Sequence, residues 1–151
     1  MVKWVDGAID DPRPASDVAV RQAQDELGVD LPPEFLAVAQ VHQGAVPVPA
    51  GIDLPNGFAT AVGHLLHFED APFVSNIGAA MFPLQDVLEE GIVPFAADVG
   101  GDFFCFDYRA DGDHPSVVFW SVDWGVVPLA PDFAGFLAML RLQDAKRRGR
   151  C

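Results

Sequence analysis

Between Val93 and Ala130 four apolar runs of strand length follow one another with hardly any chain between them. The runs are Val93–Ala97, Phe103–Tyr108, Ser116–Ser121 and Val126–Ala130, and the links are DVGGD, RADGDHP and VDWG. A parallel crossover needs a dozen or more residues, whereas antiparallel neighbours need only a few. The spacing therefore predicts an antiparallel four-strand meander. Alternation along the second run puts Phe104, Phe106 and Tyr108 on one face and Phe103, Cys105 and Asp107 on the other. The Gly100-Gly101 pair reads as a tight turn, and the aspartates beside it, Asp98 and Asp102, suit turn chemistry.

A meander with one apolar face needs a cover, and the flanking segments supply it. Ser16 or Asp17 can cap a helix to Leu27, with Gly28 as its stop; Val20, Ala23 and Leu27 would face the core. A second helix starts at Pro33 and Glu34 and runs to Gly44, with Phe35, Val38, Ala39 and His42 on one face. After the strands, Asp132 can cap a closing helix whose Phe133, Phe136, Leu137 and Leu140 recur at helical spacing. The expected fold class is α+β: a mostly antiparallel sheet, including the C-terminal four-strand meander, flanked by two N-terminal helices and one C-terminal helix. Residues 46–68 contain strand-like pieces around a Pro-Asn-Gly turn at 55–57. Residues 69–83 read as an irregular connection, and Leu84–Glu90 as one or two helical turns. Residues 1–15 are expected to be a loose arm, 16–143 a single domain, and 144–151 a basic tail. At 151 residues, such a chain can bury a core without disulfides or metals.

Charge narrows the partners. Between Arg21 and Arg109 there is no Lys or Arg, yet 13 Asp and Glu fall there. Residues 1–140 carry four cations against 21 acids, a net charge of −17. Such a body repels nucleic acid and anionic lipid and attracts basic proteins; the plainer reading of the same charge is solubility. No apolar run approaches a membrane span, and the N-terminus lacks the apolar region of a signal peptide. The two cysteines do not suggest a disulfide framework, so a reducing cytoplasm is the expected setting.

Catalytic and metal readings find little support. Cys105 lies mid-strand between Phe104 and Phe106, which predicts a raised thiol pKa and a structural role. Cys151, at the last residue, is the thiol more open to oxidation. His42 ends a core face and reads as a packed histidine. His64 and His67 would share a face on a helix but not on a strand, and no third ligand stands at a recognised spacing. Asp107, Asp111 and Asp113 lack the pattern of a calcium loop, and Gly100-Gly101 lacks the lysine and the following helix of a phosphate loop. No cofactor and no metal are expected, and no carboxylate pair stands out as an acid–base couple.

The order of these signals resembles the SUKH superfamily, which includes fungal cell-wall-assembly regulators and many bacterial toxin-immunity proteins. Glu26-Leu27-Gly28, Leu31-Pro32 and the helix to Gln43-Gly44 are similar to its opening, with Gln43 where Asn is usual. VPFAADVGGDFFCFD resembles its central hairpin. Val117–Trp120, Leu129-Ala130 and Asp132-Phe133 with Phe136-Leu137 resemble its last strand and helix, Pro131-Asp132 replacing an acidic-Ser pair. The resemblance spans roughly residues 16–142. It implies a non-enzymatic binding protein, in bacteria an immunity protein that occludes a toxin, often a nuclease; the alternative is a cytoplasmic regulatory or scaffold module without a toxin partner.

Topology then proposes a contact. Alternate loops of a meander share one end of the sheet, so the 98–102 and 122–125 turns lie together. That groups Asp98, Asp102 and Asp123 beside Trp124, a set suited to a basic protein partner. The competing reading has Trp124 folding back onto the core while the acids serve their turns.

Overall fold

The computed structural model describes residues 2–5, 14–68 and 88–142. Its order begins with β1 (Lys3–Val5), α1 (Asp17–Leu27), α2 (Pro33–Ala39), β2 (Val46–Val48), β3 (Gly51–Asp53) and β4 (Ala59–Leu65). It continues with β5 (Ile92–Asp98), β6 (Phe103–Asp107), β7 (Ser116–Ser121), β8 (Gly125–Ala130) and α3 (Phe133–Met139). The meander is present as expected, and β3 and β4 extend it to a six-strand antiparallel sheet in sequence order. β1 and β2 form a separate antiparallel pair, with Trp4 opposite Pro47. Three residues of the N-terminal arm are thus in a strand.

Helix ends follow the chemistry of their caps. Ser16 Oγ accepts from the Ala19 N–H at 3.1 Å, and Asp132 Oδ1 accepts from the Gly135 N–H at 2.7 Å. Each such cap contributes about 1 kcal/mol. The second helix is shorter than its sequence predicts. It ends at Ala39, and residues 40–44 are turns. The Gln40 side chain is drawn instead to the start of α1, donating to Ala15 O at 3.1 Å and Asp17 Oδ1 at 2.7 Å. Gly44 then reverses the chain with φ +76°, and a side chain there would strike the His67 ring. Gln43 is buried next to this turn, and its Oε1 accepts from the Phe68 N–H at 3.0 Å.

The core is mainly phenylalanine. Phe35 of α2 packs edge-on against Phe95, Phe106 and Phe133, while Phe95 and Phe106 stack at 4.3 Å. Phe104 joins Phe119 and Phe136. Phe104, Phe106 and Tyr108 therefore share the helix-covered face, as alternation predicts. The bulge at Pro94–Ala96 keeps both Phe95 and Ala96 within that cluster. The opposite face holds a smaller cluster of Leu88, Ile92, Cys105, Val118 and Trp120. Fully burying each of these large side chains contributes roughly 1.5–3 kcal/mol.

α3 follows β8, yet Arg141 just beyond it bonds Gly51 on β3 through both backbone groups at 2.8 Å. β3 and β8 are the two edges of the sheet, so the helix crosses its face from edge to edge. The sheet is also curled: Phe58, before β4, meets Trp124, before β8, with ring centroids 4.9 Å apart. Of the predicted turns at 84–90, residues 84–87 lie outside the described residues, and 88–90 are not helical. The connection expected at 69–83, the tail from 144 and Cys151 also lie outside them.

Candidate protein-binding rim

Three turns meet at one end of the sheet. β4 pairs with β5 so that Val62 lies opposite Asp98, which brings the 54–58 turn to the same end as the 98–102 turn. Ser121 lies opposite Gly125, and Phe103 opposite Trp120, which places the 122–124 turn beside it. Each turn is tied internally. Asn56 Oδ1 accepts from the Phe58 N–H, and Leu54 N–H bonds Phe58 O. Ser121 Oγ accepts from the Asp123 N–H at 3.1 Å.

Asp98 organises the central turn from within. It is buried at 8% exposure. Its Oδ1 accepts from Gly100 N–H at 2.9 Å and Asp102 N–H at 2.7 Å, and its Oδ2 accepts from Thr60 Oγ1 at 2.9 Å. Gly101 supplies the φ of +95° that closes this turn. Asp98 is therefore present in the predicted group, but its carboxylate is engaged inside the fold. Thr60, on β4, is its partner from 38 residues away.

Asp102 and Asp123 face outward. Asp102 is half-buried and Asp123 exposed. Partial burial first, and then the charges of Asp98 and Asp123, push the Asp102 carboxyl above its usual range. The charges of Asp98 and Asp123 thus both reach Asp102, across the two turns that the meander topology puts side by side. Among the described residues no Lys or Arg pairs with any of them. At the β3 edge of this end, Arg141 pairs with Asp53 through two hydrogen bonds, at 2.5 and 2.9 Å.

Trp124 does part of what each reading asks. Its ring reaches Phe119 at 6.2 Å, at the margin of the core, but remains 42% exposed. Phe58 tilts against it and is itself 58% exposed. Val99 and Val122 stand exposed in the neighbouring turns. Phe58 escapes sequence reasoning because its neighbour is supplied by sheet curvature; its only sequence signal is a large aromatic right after a Pro-Asn-Gly turn.

The other candidates are placed differently. Cys105 is fully buried, and burial first, then the Asp107 charge, push its thiol far above the range of a nucleophile. His42 is half-buried and stacks on Trp4 with ring centroids 6.5 Å apart. His64 lies on β4 and His67 just beyond it; burial lowers both pKa values, and His64 further lowers that of His67. Among the described residues no three His, Cys, Asp or Glu side chains are arranged to hold a metal ion, and no helix is long and apolar enough to cross a membrane.

The family model described as SMI1 / KNR4 family (SUKH-1) matches residues 14–139, and the chain belongs to that family. No curated protein matches it.

Proposed function

We propose that this chain is a non-enzymatic binding protein, an immunity protein that neutralises a basic toxin domain in the cytoplasm by covering it. Membership of the SUKH-1 family supports a protein-binding role. The observation that carries the reading is the rim itself. Asp102 and Asp123 stand there without a cation among the described residues, next to a half-exposed Trp124. A nuclease attracts phosphate with a basic cleft, and an acidic surface around an aromatic anchor complements such a cleft. In this reading Asp102, Asp123 and Trp124 make the contact, and Asp98 holds the turn that presents them.

The test uses the product of a toxin gene adjacent to the gene for this chain. Its association rate should fall markedly from low to high salt, because steering between opposite charges is screened over roughly 8 Å at physiological ionic strength. An acidic partner, or a rate indifferent to salt, would contradict the proposal.

A further inference from the structure

The rim carries more than charge. Four exposed apolar side chains, Phe58, Val99, Val122 and Trp124, come from three turns at one end of the sheet. Two of them form an aromatic pair, 4.9 Å between centroids and 31° between planes, and each residue of the pair is about half exposed. Internal hydrogen bonds fix the backbone of all three turns, so little ordering remains to be done on binding. Solubility accounts for exposed acids on turns but not for a preformed aromatic pair beside them.

What could cover such a patch is limited by charge. A second copy would bring Asp102 and Asp123 against their own equivalents, on chains of net charge −13. An anionic membrane or a nucleic acid meets the same repulsion. A cationic protein segment does not. Between the two cations, lysine is a compact, strongly hydrated point charge. Arginine is planar, less hydrated, stacks on aromatic faces and offers a fork of donors to carboxylates.

We infer that the rim seats an arginine of the partner, its guanidinium plane lying on the Phe58–Trp124 pair and its charge answered by Asp102 and Asp123. The inference rests on the reading of this rim as the partner contact and adds the side chain it selects. Val99 and Val122 then flank the seat and keep water from it.

Hexa-arginine and hexa-lysine peptides, equal in charge, make the test, titrated calorimetrically into the intact protein at one ionic strength. Charge alone binds both equally; the aromatic pair should make hexa-arginine roughly three- to tenfold tighter. Phe58→Ser and Trp124→Leu should each bring the two peptides within about twofold, and Trp124→Phe should keep the preference. Trp124→Leu retains an apolar cover for Phe119, and melting curves report whether each variant is folded. Asp102→Asn with Asp123→Asn should weaken both peptides together. Equal binding of the two peptides to the unaltered protein would overturn the inference, as would a preference that survives in folded Phe58→Ser and Trp124→Leu. Toxin neutralisation without any arginine preference would remove this inference and leave the immunity reading; an arginine preference with no toxin neutralised would do the reverse.

Discussion

The two ends of the sheet are built from similar residues and end up different. At one end, Asp107 and Glu89 are both paired with Arg109, which reaches Asp107 through its Nε at 3.0 Å and its Nη2 at 2.9 Å. The Tyr108 hydroxyl closes that end by donating to Asp30 O at 2.9 Å. At the other end, Asp98 turns inward to backbone donors, while Asp102 and Asp123 have no cation among the described residues. The pKa directions record the contrast. Hydrogen bonding from Arg109, before the opposing effect of burial, holds the Asp107 carboxyl below its usual range. Partial burial and like charge hold that of Asp102 above it. Arg109 thus draws two acids into the fold at one end, whereas at the other Asp102 and Asp123 stand beside apolar rings with no cation on them among the described residues.

The largest effect on stability should come from Asp98→Ala. It removes the acceptor of two turn N–H groups and of the Thr60 hydroxyl, at a cost of about 2 kcal/mol in chemical denaturation. A loss within a few tenths would mean that water replaces the carboxylate freely and that the turn does not depend on it. At the opposite end Arg109→Ala should cost no more than about 1 kcal/mol, since that ion pair is partly exposed and screened. The smallest effect separates the ends by sign. Asp102→Asn should raise the melting temperature slightly at neutral pH, and Asp107→Asn should lower it. A raised carboxyl destabilises the folded protein once ionised, so the gain from Asp102→Asn should vanish as pH falls below the ordinary carboxylate value of 3.8. The stabilisation from the depressed Asp107 is present above that value and is lost as pH falls through its lowered folded value. Melting curves across this range decide both signs.

The difference between the ends also marks what the sequence could reveal. The meander was legible because its links are too short for any other connection, and Asp132 as a cap because the helical repeat begins one residue later. Cys105 was legible as a core thiol from its aromatic neighbours and the strand period. The proximity of Asp102 to Asp123 followed from loop alternation alone. The inward turn of Asp98 did not, because its third donor comes from β4, in a segment whose strands had no clear period. The curl that brings Phe58 to Trp124 was likewise invisible, since it joins opposite edges of the sheet. The end of α2 at Ala39 was not legible for a related reason: the Gln40 side chain that follows it bonds Ala15 O and Asp17, distant in sequence.

The central claim is that the end of the sheet bearing Asp102, Asp123 and the Phe58–Trp124 pair, and not the Arg109 end, meets the partner. Survival of cells producing the adjacent toxin tests it most directly, with the unaltered protein, the Asp102→Lys/Asp123→Lys variant, and Arg109→Ala supplied in turn. The account predicts protection by the unaltered protein and by Arg109→Ala, and loss of protection with the folded double variant. Protection by the double variant equal to that of the unaltered protein would contradict it and move the contact away from this rim.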